Sequence, residues 1–282
     1  MIHRRLFLAS SAALAALPRM SFAQDGHGGR VELTGSMDQG SLVIGKTPPG
    51  STVRVDGRAV RVGADGEFAF GLEYDQVKPS MLAATFADNS VQTLQVTPNI
   101  RQYEVQKING LPPQEAHPSD PEIVARIQRE HALVFEARKT DSDLTYFEDP
   151  FDWPAKGIIS GVFGSQRVLN GVPSAPHFGV DIAGGEGAPI HAPAGATALL
   201  AEQFFLEGGY TLLDHGHGVF TGYMHQSAQL VKAGEHIERG QQIGNIGHTG
   251  RATGPHLHWQ MNWFGVRLDP SLSARTPAPD KI

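Results

Sequence analysis

Nine of the thirteen histidines fall at positions 177, 191, 215, 217, 225, 236, 248, 256 and 258, a stretch where an even spread along 282 residues would place about four. Imidazole is a common metal ligand and the side chain that most readily trades protons near neutral pH, so this crowding points to a site. Three short pieces carry the chemistry: His177-Phe178-Gly179-Val180-Asp181, Tyr223-Met224-His225 and Gly254-Pro255-His256-Leu257-His258-Trp259. Alternate side chains of a strand share a face, so His256 and His258 turn two imidazoles toward one cleft, with Leu257 on the other side. The chain has no cysteine, which excludes thiolate metal sites, disulfides and a thiol nucleophile. A catalytic zinc site needs three protein ligands and an open position. His177, Asp181 and one of the His256/His258 pair can supply that set.

The elements that must hold these residues are short. After Asp149-Pro150, β-type segments broken by glycine run over 158–163, 197–205, 210–214, 219–224 and 256–263, with no long helical period. This predicts an antiparallel, mostly β catalytic domain over 150–275 rather than parallel βα units. Upstream, Val53 and Val55, then Asp56-Gly57, Val60 and Val62, Asp65-Gly66, Phe68 and Phe70 give a period-two pattern with hairpin turns. A small antiparallel β-sandwich over 24–105 follows, carrying no catalytic constellation. Residues 106–149 read as a linker with one helix. Ser119 and Glu122 stand in capping-box spacing around Pro121, and Ile123, Ile127, Val134 and Phe135 recur at helical spacing to about Arg138. That helix is expected to pack on a neighbour, and 276–282 is a tail.

Further pieces surround the three: Gly161-Val162-Phe163-Gly164 with Arg167, Pro189-Ile190-His191-Ala192-Pro193-Ala194-Gly195, Asp214-His215-Gly216, Thr221-Gly222, and Gly247-His248-Thr249-Gly250. In this order, over about 158–270, they resemble the M23 family of zinc metallopeptidases, the LytM and lysostaphin type that cleaves cell-wall peptidoglycan peptides. The resemblance implies Zn2+ held by His177, Asp181 and His258, with His225 and His256 flanking the bound water, and peptidoglycan stem peptides as substrate. No HExxH glutamate is present, so base, oxyanion-donor and acid roles fall jointly on His225 and His256.

Some relatives of this fold have lost their ligands and only activate other wall hydrolases. Here the implied ligand positions are all occupied, which favours a zinc-dependent endopeptidase over a non-catalytic regulator. Gln260 stands where many relatives carry Glu, and only a non-ligand contact depends on it. His191, His217 and His248 are read as structural, and His215 as structural or supporting a ligand. Arg167 and Arg251 could meet a stem-peptide carboxylate, the plainer reading being solvated arginines. The 184–187 glycine loop has no lysine or strand-to-helix setting for a phosphate cradle.

Composition removes other classes. Hydrophobic residues at 40% support a core, and a net charge of -6 gives no basic footprint for nucleic acid. Residues 1–23 have a basic start (His3, Arg4, Arg5), an apolar run over 6–17 and small residues at Ser21 and Ala23, the pattern of a cleaved signal peptide. Arg4-Arg5-Leu6-Phe7-Leu8 also resembles a twin-arginine signal, beside the general secretory reading of the same residues. A periplasmic or secreted protein without a membrane span in its mature chain is expected, its cell-wall or divisome partners unspecified.

Overall fold

The computed structural model of the chain describes residues 30–275 and 278; the export signal expected at 1–23 and, Ala278 apart, the tail expected at 276–282 lie outside them. Period-two patterning builds the N-terminal lobe. Strands β1 (Glu32–Thr34), β2 (Leu42–Lys46), β3 (Thr52–Val55), β4 (Arg58–Val60), β5 (Glu67–Gly71), β6 (Ser80–Thr85) and β7 (Val91–Val96) form two antiparallel sheets, β1-β2-β5 and β4-β3-β6-β7. In β3, Val53 and Val55 face inward while Thr52 and Arg54 face water. Asp56 and Gly57 take φ of 51° and 81°, which the tight β3–β4 hairpin requires at both central positions. The Asp65-Gly66 turn departs from the hairpin reading: β4 and β5 lie in different sheets. It carries the chain across the sandwich, delivering Phe68 and Phe70 to the core with no exposure.

The segment expected as linker also forms structure. It begins at β8 (Val105–Ile108), followed by α1 (Pro113–Ala116) and α2 (Pro121–Ala137). Asp120, not Ser119, caps α2: its carboxylate accepts from the Glu122 and Ile123 amides at 2.9 and 3.3 Å, while Ser119 bonds Gln114. With Pro121 as first helical residue the cap is the residue before it, and one carboxylate oxygen reaches both free amides. α2 lies on the catalytic sheet, where its buried Glu130 accepts from the Phe205 amide at 2.9 Å. Beyond β9 (Ile158–Gly161), β8 pairs in parallel with β10 (Gln166–Leu169), which also pairs with β11 (Val172–Pro173). This parallel pair was not expected from the antiparallel pattern.

The remaining strands are β12 (Val180–Ala183), β13 (Pro189–His191), β14 (Ala196–Phe204), β15 (Gly208–Gly216), β16 (Val219–Gln229), β17 (His236–Ile237), β18 (Gln242–Ile246), β19 (Leu257–Trp263) and β20 (Val266–Leu268). With β9 they make one antiparallel sheet, β17-β14-β15-β16-β19-β12-β9, flanked by β13, β18 and β20. The fold is mostly β, as the segment pattern predicts. One buried apolar cluster runs from Val43, Phe68 and Phe70 of the sandwich through Trp263 and Leu268 to Tyr223 and Trp259 of the large sheet. The two lobes therefore share a core. Arg101 pairs with the buried Asp269 at 2.8 Å across the junction, and Tyr74 of the sandwich meets Phe178 edge-on with ring centroids 4.9 Å apart.

Candidate metal centre

Neighbouring strands bring the three predicted ligands together. Asp181 in β12 and His258 in β19 are direct cross-strand partners, and His177 sits on the loop entering β12. His177 Nε2 lies 2.9 Å from Asp181 Oδ1 and 2.8 Å from His258 Nδ1, and His258 Nδ1 lies 2.7 Å from Asp181 Oδ1. All three residues are buried. His177 Nδ1 is 3.0 Å from the Val162 carbonyl; a carbonyl only accepts, so Nδ1 carries the proton and Nε2 turns its lone pair to the centre. Lone-pair atoms this close repel one another unless a cation or a proton sits among them. Two imidazoles and a carboxylate on one point, with room on the cleft side, fit a zinc-type ion that keeps an open position.

The surroundings are shaped to this convergence. A Cβ at Gly161 would fall on Asp181 Oδ2, and one at Gly179 would meet His258 Nε2 at 2.6 Å, so both positions must lack a side chain. Arg167 is neither solvated nor free for substrate: it is mostly buried and donates from Nη2 to Asp181 Oδ2 at 2.9 Å. Burial works against the Asp181 charge, but the adjoining His177 and His258 outweigh it and hold the carboxyl well below the usual carboxylate range. Burial, first of all, pushes His258 down to about 4 despite its Asp181 partner, so it stays neutral and able to ligate at pH 7.

The other two predicted histidines line the same cleft, of about 280 Å³, beside Asp181. His256 precedes β19 and bridges to Gly247; its Nδ1 donates to the Gly254 carbonyl at 2.8 Å and its Nε2 stands 3.8 Å from Asp181 Oδ1. His225 reaches the cleft through an irregularity in β16. Thr211 pairs with Tyr223 but Gly209 with Gln226, so β16 carries one extra residue there, and His225 itself has φ 63°. Such a bulge re-aims a side chain. His225 Nδ1 donates to the Thr249 carbonyl at 2.8 Å, leaving Nε2 unprotonated, and its ring centroid lies 4.7 Å from that of His256. Burial, then the neighbouring His256 and His258, push His225 down to about 3, so its ring is neutral at pH 7.

The remaining histidines stay outside the centre. His215 is fully buried between the Gly195 carbonyl and Thr221, each at 2.7 Å. His217 packs on Phe147, and His248 pairs with Glu186 on the surface. Gln260 accepts from Arg138 at 3.2 Å, a contact remote from the ligands. Sequence reasoning missed Gln106 and Ile108 of β8, which also line the cleft. Val105-Gln106-Lys107-Ile108 has no apolar alternation to mark a strand, and its parallel partner lies some sixty residues on.

A buried His-Asp-His set at an antiparallel sheet, beside a cleft with two more histidines, could hold one metal ion. Residues 175–270 match Peptidase family M23. The chain is 40% identical over 108 residues, 38% of this chain and 25% of the relative, to the peptidoglycan DD-endopeptidase ShyA of Vibrio cholerae. It is 42% identical over 103 residues, 36% of this chain and 22% of the relative, to an uncharacterized metalloprotease of Haemophilus influenzae. The match thus spans about a quarter of the length of these curated relatives. A crystal structure titled as a candidate M23 peptidase from Pseudomonas aeruginosa superposes with a TM-score of 0.65 at 26% identity, covering 84% of this chain and 94% of that one.

Proposed function

We propose that the protein is a zinc-dependent endopeptidase that hydrolyses peptide cross-links of peptidoglycan, outside the cytoplasm. The observation that carries this reading is the convergence of His177 Nε2, Asp181 Oδ1 and His258 Nδ1 within 2.9 Å of one another, with Asp181 lining a cleft shared by His225 and His256. The endopeptidase relatives support the substrate class, and the basic, apolar and small-residue pattern of 1–23 supports export. Zn2+ held by these three residues would supply Lewis acidity to the scissile carbonyl and lower the pKa of a water.

The chain's own groups do the rest. His225 and His256, with Nδ1 protons committed to Thr249 and Gly254, offer unprotonated Nε2 atoms to the cleft. Each can accept a proton from a water and return one to a leaving amine. Burial keeps His225 neutral at rest; negative charge developing on an attacked carbonyl is what would stabilise its imidazolium, so its protonation is favoured only as reaction proceeds. Val162, through His177, and Arg167, through Asp181, keep the ligands oriented.

Digestion of purified peptidoglycan by the zinc-loaded protein, with released muropeptides identified by mass, tests the reading. Cross-linked dimers should give way to monomers, and the His177→Ala protein should leave the dimers intact. Dimers untouched by the zinc-loaded protein would overturn it, and stem peptides stripped from glycan only when another hydrolase is added would point to the regulator instead.

A further inference from the structure

We propose that Arg251 sets substrate specificity by binding a free carboxylate on the carbon that bears the leaving nitrogen. This rests on the endopeptidase reading and deepens it. Arg251 lies on the loop between β18 and β19, its amide tied to the Leu206 carbonyl at 2.8 Å, and it lines the cleft together with His225, His256 and Asp181. It is the cleft arginine that no described carboxylate meets in ion-pair contact. Arg167 is engaged by Asp181, whereas among the described residues the only side-chain hydrogen bond of Arg251 runs from Nη1 to the Glu115 carbonyl, at 3.4 Å. Glu207, whose Oε1 pairs with His131 at 3.3 Å, and Glu115 favour its charge only at longer range. Burial, then the Arg167 charge, act against the Arg251 cation. A partly desolvated guanidinium with idle donors is a seat for an oxyanion, and its planar fork matches a carboxylate.

The cleft, at about 280 Å³, is small for a ligand site, so the anion belongs to a residue flanking the attacked bond. Of the two residues joined in a direct D-alanyl–diaminopimelate link, only the one giving the nitrogen carries a carboxylate there. Links to a lysine side chain or to a glycine bridge carry none. Arg251 would therefore select the direct diaminopimelate type.

The test uses two cross-linked peptides that differ only in that group, free carboxylate or carboxamide. With the zinc-loaded protein, kcat/KM should favour the carboxylate by roughly 10- to 100-fold, the worth of a hydrogen-bonded charge pair. The ratio should fall to near unity in Arg251→Gln and recover partly in Arg251→Lys, with zinc content unchanged. Dissociation constants of both peptides for the His225→Ala protein, alone and combined with Arg251→Gln, should show the same preference and its loss without any turnover. A wild-type protein that does not discriminate, or a preference surviving in Arg251→Gln, would overturn the assignment. If neither peptide is cleaved, the endopeptidase reading fails while the binding ratio still decides the role of Arg251.

Discussion

The three donors converge on one point, so single replacements should separate holding the metal from using it. His177→Ala or Asp181→Ala removes one of three convergent atoms; zinc measured by elemental analysis should fall to near zero in both, and full stoichiometric retention would exclude them as ligands. His225→Ala and His256→Ala should keep zinc yet lose hydrolysis by roughly 10² to 10⁴, the usual worth of positioned acid-base groups, with near wild-type rates in both being the contrary result. Gly161→Ala tests the surroundings. Its Cβ would fall on the Asp181 oxygen held by Arg167, so zinc affinity, read by chelator competition, should drop about 10- to 100-fold, as when a ligand's supporting contact is lost. Unchanged affinity would show that β9 can yield.

The strands decide which residues meet, and this is where the sequence was partly legible. His256-Leu257-His258 disclosed its own geometry because alternation is local: Leu257 is in the core and both imidazoles turn to Asp181. The Asp56-Gly57 hairpin was readable for the same reason. The bulge that brings His225 round was not, since it exists only as a mismatch between β16 and β15, nor was the pairing of β8 with β10, which depends on a partner far along the chain. Inter-element ties also carry a pH signature. His215, on β15, joins the Gly195 carbonyl to Thr221 of β16, and burial, above all, pushes it down to about 4 from about 6.5. The unfolded chain then takes up the proton first: stability is unaffected above about pH 6.5 and falls as pH drops toward 4, by roughly 3 kcal/mol in total. Denaturant titrations across that window should show the slope of stability against pH smaller by up to about one proton in His215→Gln; identical slopes would mean that His215 does not titrate on unfolding.

At the scale of the whole molecule, the shared core makes the sandwich part of the catalytic lobe's stability, which a reading of separate domains does not anticipate. Arg101→Ala would leave the Asp269 carboxylate, buried at 1% exposure, without its cation. A loss of about 2 kcal/mol is expected, below the usual figure for a broken buried pair because Arg101 is partly exposed and Ser271 still bonds the carboxylate. Calorimetry should show one transition moving as a unit; a separate early transition for the sandwich would refute the common core.

The edge-on contact of Tyr74 with Phe178, the neighbour of His177, has a reciprocal side. If a docked sandwich steadies His177 for its ion, filling the centre must steady the sandwich by the same free energy. The lifetime of the protein among proteases would then follow the supply of the ion. Protein that cannot work would thus be removed, without any dedicated sensor, at a rate set by metal scarcity. Digestion half-lives with and without zinc should differ for the wild type, and by less in Tyr74→Ala.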